Sequence, residues 1–140
     1  MMKMLTDDEA RRLFKSAKIG RLGCVVDGAP YVVPINCLLE DNCLYSHSLN
    51  GLKISALRAN PRACVQDDEI ESALCWRSAI AFGKFEEITN PNERAEMLNK
   101  LFKVFPMLTP VEATLALDGL AQEVIVFRIR IERITAVSEG

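Results

Sequence analysis

The chain has 140 residues, of which 49% are hydrophobic and 26% charged, and its formal net charge is −2. This length predicts one domain covering 1–140 with a substantial core. The slightly acidic balance gives no electrostatic footprint for nucleic acid and disfavours binding to anionic membrane. The N-terminus lacks the apolar stretch of a signal peptide, and no run approaches the ~18 apolar residues of a spanning helix, so we expect a cytoplasmic protein with no membrane partner.

Cysteine content argues against a disulfide framework and a metal site. The five cysteines are odd in number, are spread over the apparent strands and form no C-x-x-C pair, and the single histidine cannot complete a usual zinc set. We therefore expect buried free thiols in a reducing compartment. These residues are Cys24, Cys37, Cys43, Cys64 and Cys75.

The first half of the chain reads as a helix followed by a strand meander and a second helix. Thr6 and Glu9 form a capping box for a short helix that ends before Gly20. Turn signals at 27–28 and 40–42 separate apolar strand-like runs, and Asn60-Pro61 stops the second helix. The predicted order is strand 22–26, strand 31–39, strand 43–47 and a helix that begins after Gly51.

The second half adds strands around one longer helix. We predict a strand at 62–66, a solvated acidic loop at 67–69, and a long strand at 76–88 in which Gly83 marks a bulge. Asn90-Pro91 begins a helix that ends at Pro106, a short helix follows at 110–117, and the alternating run 124–131 is a final strand. About six strands, joined mostly by hairpins, predict a mainly β fold with added helices (α+β), arranged as a small antiparallel barrel.

Pro34 interrupts the second predicted strand. A proline there indicates either a simple edge strand or a place where the ladder is left open. In the second case, backbone groups beside Pro34 would be free to face a ligand. The residues alone favour neither interpretation.

An anion site is indicated where the third strand passes into the second helix. Ser46, Ser48, Lys53 and the backbone N–H groups near Gly51 can all donate to a phosphate. His47, the only histidine, could donate as well or pack against an aromatic ring. Taken as isolated residues, these side chains fit an ordinary surface better than a site.

A second pair of donors, Arg77 and Ser78, lies early in the long strand and could reach the ligand if that strand runs alongside. No G-x-S-x-G elbow and no G-x-G-x-x-G loop occurs, and a triad would depend entirely on His47. Asp67 and Asp68 lack an apolar setting that would raise a pKa. No catalytic residue is therefore identified, and any chemistry would belong to a cofactor.

The ordered series of short motifs resembles the pyridoxamine 5′-phosphate oxidase-related superfamily of FMN-binding split barrels, most closely its nitroimidazole-resistance-type branch. The motifs occur in the family's order, best over 16–88: Gly20-Arg21-Leu22, the segment 27–36, Leu44-Tyr45-Ser46-His47-Ser48, Gly51-Leu52-Lys53, Asn60-Pro61, Trp76-Arg77-Ser78 and Gly83.

The resemblance implies a six-stranded antiparallel split barrel, usually a homodimer with FMN in two grooves at the subunit interface. It implies that Lys53 and the donors around Ser46, His47 and Ser48 face the FMN phosphate. It also places Val33-Pro34-Ile35-Asn36 and Arg77-Ser78 along the isoalloxazine ring or ribityl chain. The C-terminal stretch 134–140 lacks the tryptophan- and arginine-bearing tail of the true oxidases, so oxidation of pyridoxine phosphate is not expected.

We therefore expect an FMN-binding, oxidoreductase-like protein that acts on a small flat substrate, nitroaromatic or quinone-like. A protein that binds FMN or another phosphorylated ligand without turnover is the main alternative, because no acid–base residue is evident. A haem-handling split barrel with His47 as axial ligand ranks last.

Overall fold

A computed structural model gives the fold and describes residues 1–16, 18–105 and 124–140, with the side chain of Lys18 not described. Seven strands and three helices occupy these ranges. In chain order they are β1 (Met2–Met4), α1 (Asp7–Lys15), β2 (Lys18–Val26), β3 (Ala29–Glu40), β4 (Cys43–Leu49), α2 (Leu52–Ala59), β5 (Arg62–Ser72), β6 (Cys75–Glu87), α3 (Pro91–Val104) and β7 (Val124–Glu139). The predicted short helix at 110–117 lies outside the described residues.

All seven strands belong to one antiparallel sheet in the order β1-β7-β4-β3-β2-β5-β6. A further pairing of β7 with β6 joins six of these strands into a barrel. This confirms the split-barrel fold, but the expected count of six strands is one too low. The additional strand is β1, in which Met2 pairs with Glu139 and Met4 with Val137. The strand β1 was not predicted, because its three residues are too few to show an alternating pattern.

Both tight turns of the meander are confirmed. Asp27 and Gly28 have φ values of 51° and 79°, and Asp41 and Asn42 have φ values of 50° and 60°. Left-handed backbone at both central residues matches the twist of the flanking strands, and glycine, asparagine and aspartate tolerate it best. These turns fix the register of β2 against β3 and of β3 against β4.

The predicted acidic loop at 67–69 is wrong, because these residues continue β5. Asp67 is a Cα partner of Ala79 and Asp68 of Ser78, and the side chain of Asp67 is only 2% exposed. Its Oδ1 atom accepts a hydrogen bond from the Asp68 N–H at 2.9 Å. Cross-strand pairing with β6 thus outweighs the poor strand propensity of consecutive acids.

The predicted irregularity at Gly83 is confirmed, since the β6–β7 register shifts between Phe82 and Gly83. Gly83 faces Ile131 and Phe82 faces Arg133, so Glu132 is the extra residue. A Cβ atom on Gly83 would overlap the carbonyl oxygen of Arg130. Only glycine allows β6 and β7 to approach this closely at the bend.

Two apolar clusters hold the fold together. The larger fills the barrel and includes Leu22, Val65 and Phe127, and α1 and α2 pack against it. The smaller lies between α3 and the outer face of β4 and β7, where Leu101 and Val126 are buried. Because β4 contributes to both clusters, nearly every residue of β4 is buried, including its polar ones.

The five cysteines are free thiols in the structure. Cys24, Cys37 and Cys43 are buried as expected, whereas Cys64 is half-buried and Cys75 is exposed at the start of β6. Within the described ranges, no helix is long and apolar enough to cross a membrane.

Candidate functional site

The pairing of β3 with β4 stops partway along both strands. The Cα partners are Glu40–Cys43, Leu39–Leu44 and Leu38–Tyr45, and the ladder ends there, although both strands continue. On the same register, the next opposing residues would be Cys37 and Ser46. Each strand keeps its other neighbour, since β3 remains paired with β2 through Pro30–Cys37 and β4 with β7 through Ser46–Leu49. The sheet therefore splits while both edges of the split stay anchored.

A cleft of about 250 Å³ lies at this split. Pro34 and Asn36 of β3 form one wall, and His47 and Ser48 of β4 form the other. Pro34 is paired with Arg21 of β2 on its far side and cannot donate a hydrogen bond to a further strand. The described residues that line the cleft are Ile19, Pro34, Ile35, Asn36, His47, Ser48 and Lys53.

Helix α2 begins next to the cleft, and its first turn supplies the ammonium group of Lys53. Gly51 is the N-cap residue and provides no capping side chain, and the first turn carries no acidic residue. Lys53 is the second residue of α2 and lines the cleft. Uncapped N–H groups and a lysine at one helix start are the donors that a phosphate prefers.

His47 sits where β4 meets both the cleft and α3. Its ring lies 5.5 Å from that of Phe102, centroid to centroid, at an interplanar angle of 74°. This edge-to-face contact is one of the two roles considered for His47 from sequence, and the residue is only 7% exposed. His47 is held in β4 by its pairing with Val126 of β7, and the ring contact brings α3 against it.

The two serines of β4 differ in their surroundings. The Ser48 hydroxyl donates to the carbonyl oxygen of Leu49 at 2.8 Å and the residue lines the cleft. The Ser46 hydroxyl is 1% exposed and does not line the cleft, and it has no hydrogen-bond partner among the described residues. Such an orphaned buried hydroxyl calls for a partner that protein atoms do not supply.

Five of the predicted site residues lie outside the cleft lining. Val33 packs against the barrel core, Ser46 is buried behind the wall, and Gly51 caps α2. Arg77 donates to Glu69 at 2.8 Å, and Ser78 accepts from Gln66 at 3.0 Å. The last two lie on β6, separated from β3 by β2 and β5 in the sheet.

Sequence reasoning missed two residues beside the cleft, Ile19 and Phe102. Ile19 lines the cleft and is 57% exposed, which is unusual for a large apolar side chain. The alternation of β2 could have assigned Ile19 to the outer face, but the predicted strand began only at residue 22. Phe102 belongs to an apolar helix stripe, and nothing in that stripe distinguished it from ordinary core.

Burial is the main cause of the raised pKa values of two thiols, Cys37 and Cys24. It raises the pKa of Cys37 to about 12, and the neighbouring Asp67 carboxylate contributes to the rise. Burial also raises the pKa of Cys24, with a smaller contribution from the Cys64 thiol, while the ammonium of Lys53 acts in the opposite direction. These thiols are therefore protonated near neutral pH and are poor nucleophiles.

The cleft can bind an anion and a flat polar ring more readily than it can perform acid–base chemistry. The lining residues that the structure describes include one lysine and one histidine but no carboxylate. Within the described part of the chain, no further strand pairs with either wall beyond the end of the β3–β4 ladder, so backbone donors and acceptors are available on each side. This combination suits a phosphorylated ring compound held along the split.

Comparison with known proteins agrees with this architecture. A family model described as pyridoxamine 5′-phosphate oxidase matches residues 6–137. An uncharacterized protein from Rhizobium meliloti (strain 1021) is 31% identical over 87 residues, which cover 62% of this chain and only 58% of that relative.

Two solved structures extend the comparison to three dimensions. A FAD-binding protein from Mesorhizobium loti superposes with a TM-score of 0.81 at 29% identity, over 100% of this chain and 99% of that one. A putative 5-nitroimidazole antibiotic resistance protein from Bacteroides thetaiotaomicron VPI-5482 has a TM-score of 0.76 at 22% identity, over 99% and 89% of the two chains. With a family model that spans nearly its whole length, the chain belongs to the pyridoxamine 5′-phosphate oxidase family.

Proposed function

We propose that the cleft between β3 and β4 binds a flavin, and that the flavin is FMN. The observation that carries the proposal is the anchored split itself, with Lys53 and the uncapped start of α2 at one end. The similar Mesorhizobium loti protein is described as FAD-binding, which supports a flavin in the same fold.

The residues present fit such a group. Lys53 and the first N–H groups of α2 would hold the phosphate, and the orphaned Ser46 hydroxyl behind the wall would gain a polar neighbour. Pro34, Ile35 and Asn36 would lie along the ring. A single lysine among the described lining residues matches one phosphate better than the two of a dinucleotide, which favours FMN over FAD.

A bound flavin would supply hydride or electron transfer to a small flat substrate, nitroaromatic or quinone-like. The chain's own contribution would be to bind the phosphate, orient the ring along the split and limit the access of water. We further propose a homodimer in which the partner adds groups to the open side of the cleft. Arg77 and Ser78, which lie away from the cleft within one chain, are candidates for that role.

Binding without turnover is the second candidate function. Among the described residues, the cleft lining includes no carboxylate and His47 packs against Phe102, so none of these residues has an evident role in proton transfer. The same ring contact makes His47 a less suitable axial ligand for haem than an open histidine.

Comparing the affinities of FMN, riboflavin and FAD tests whether the cleft binds a flavin and whether it contacts one phosphate. We expect purified protein to bind FMN, with a yellow absorption spectrum, more tightly than riboflavin, because riboflavin lacks the phosphate that Lys53 would contact. FAD should bind no more tightly than FMN. If the protein binds none of the three ligands, the proposal is wrong. Equal affinity for FMN and riboflavin would show that the cleft makes no favourable contact with the phosphate.

Whether the protein catalyses electron transfer is tested on the protein with FMN bound. Reduction by a nicotinamide cofactor, followed by reoxidation with an added quinone or nitroaromatic compound, supports an oxidoreductase. Bound FMN that neither step affects supports the second candidate.

A further inference from the structure

His47 lies on the face of β4 that is turned towards α3. Side chains alternate between the two faces of a strand. Leu44 belongs to the cluster inside the barrel, whereas Cys43 and Tyr45 belong to the cluster beneath α3. His47 follows Tyr45 by two residues and so shares the α3 face, yet it also lines the cleft. Its imidazole therefore stands between α3 and the candidate ligand site.

Phe102 contacts His47 from the α3 side. The two ring centroids are 5.5 Å apart, and the interplanar angle is 74°. In an edge-to-face pair, the positive edge of one ring meets the negative face of the other, so the attraction depends on the orientation of both rings. Rotation of the imidazole about its side-chain bonds would break this geometry. The contact thus favours one orientation of His47.

Helix α3 holds Phe102 in place against the sheet. Leu101, the preceding residue, has no exposed surface and belongs to the cluster beneath the helix. Lys100 pairs with Glu40 of β3 at 2.6 Å, but both side chains are at least one-third exposed, so this pair adds little. Burial of Leu101 is therefore the main anchor close to Phe102. The Phe102 ring is a fixed surface against which the imidazole packs.

The position of His47 at a strand edge makes this support important. In the described ranges, β4 beyond Tyr45 pairs with β7 alone, and the pairing with β3 has ended. A side chain beside an open edge has room to change rotamer, and a ligand that contacts it must then pay for ordering it. A ring contact that selects one rotamer in advance reduces this entropic cost.

We propose that Phe102 is a positioning residue for the cleft, and that it holds the His47 imidazole in the orientation that contacts bound FMN. The inference rests on the proposed function of the cleft. Phe102 is not among the described lining residues, so its effect on the ligand passes through His47.

The first test measures the orientation of His47 without any flavin. The chain has one histidine, so labelling with isotope-enriched histidine in an untagged protein makes its NMR signals unambiguous. Three-bond couplings to the ring carbon Cγ report the rotamer of His47. We expect the couplings of one staggered rotamer in the wild type and in Phe102→Tyr, which keeps the ring. Phe102→Leu keeps apolar volume without the ring and should give averaged couplings. A single unchanged rotamer in Phe102→Leu would overturn the proposal.

The second test measures FMN affinity in a double-mutant cycle. Phe102→Leu should weaken FMN binding roughly threefold to tenfold, the scale of one aromatic pair, and Phe102→Tyr should bind as the wild type does. In a His47→Ala background, Phe102→Leu should have no further effect, because the residue through which it acts is gone. Phe105→Leu is the matched control, since Phe105 packs against the same cluster at the end of α3, and it should leave the affinity unchanged.

Two results of the cycle would overturn the proposal. They are losses that multiply in the double variant, and an equal loss in Phe105→Leu, because Phe102 would then act through the packing of α3 alone. A wild-type protein that binds no FMN would instead show that the proposed function is wrong. In that case the couplings of His47 still decide whether Phe102 orients the imidazole.

Discussion

Leu38 and Tyr45 are the last Cα partners of the β3–β4 ladder, and the candidate cleft begins directly beyond them. Because β2 and β7 hold the far sides of the two strands, the opening needs no loop rearrangement to form. A ligand can therefore use backbone groups of both strands without first separating them, which reduces the entropic cost of binding.

Replacing Lys53 should weaken FMN binding selectively. If the ammonium contacts the phosphate, Lys53→Ala should cost ~1.5–3 kcal/mol, the scale of a charged hydrogen bond. Riboflavin affinity should remain unchanged, because riboflavin has no phosphate. Both constants can be measured by fluorescence titration.

Arg58→Ala is the matched control for Lys53, since it removes a cation from the same helix. Arg58 pairs with Glu87 at 2.7 Å and does not line the cleft. An equal effect of both variants on FMN would point to general electrostatics instead of a specific contact.

Gly83→Ala should destabilise the barrel markedly. The new Cβ would overlap the backbone oxygen of Arg130, and backbone can move away only if the β6–β7 pairing is distorted. We expect a loss of about 2–3 kcal/mol in the free energy of unfolding, measured by urea denaturation. At Gly51, a Cβ would meet nothing within 4 Å, so Gly51→Ala should cost less than about 1 kcal/mol. Similar losses at both glycines would contradict the steric explanation.

The contribution of Glu86 to stability should depend on pH. The hydrogen bond from Arg130, at 2.6 Å, lowers the pKa of the Glu86 carboxyl from its ordinary value of 4.5. A depressed folded-state pKa stabilises the protein above the unfolded value, and this contribution is lost as the pH falls through the folded value.

Glu86→Gln should therefore reduce the free energy of unfolding at pH 7 but have less effect near pH 3. Because the Glu86 side chain is 40% exposed, the difference should stay below about 1 kcal/mol. Urea denaturation of both proteins at the two pH values measures it. A larger loss at low pH would show that the interaction has the opposite sign.

Thiol labelling should distinguish the exposed cysteine from the buried ones. Cys75 is exposed, and the hydrogen bond between its thiol and Glu71, at 3.3 Å, is the main cause of its raised pKa. Cys75 should react first at pH 8, and Glu71→Gln should accelerate that reaction. Cys37, with a pKa of about 12, should react only after unfolding. Rapid labelling of Cys37 in the native protein would show that the split opens into the barrel.

Local sequence signals identified most of the elements because their causes are local. Asp27-Gly28 and Asp41-Asn42 have left-handed backbone, which these residue types tolerate best, and Thr6 and Asn90 accept hydrogen bonds from N–H groups two or three residues away. Alternation assigned the two faces of β7 correctly, with Phe127 in the barrel and Val126 beneath α3. The predicted anion site also rested on one short segment, in which Ser48 and Lys53 are near neighbours along the chain.

Other features depended on contacts between distant segments, which a single sequence does not encode locally. Asp67 and Asp68 looked like a loop because their strand character comes from pairing with β6. The N-terminal Met2–Met4 became a strand only because the end of β7 offers a free edge. Pro34 fitted an edge or an opening equally well, and pairing with β2 on one side and the split from β4 on the other decided between them. Residue types thus determined the turns, the caps and the donor-rich segment, whereas the registers of distant strands decided where the sheet opens and which donors face the opening.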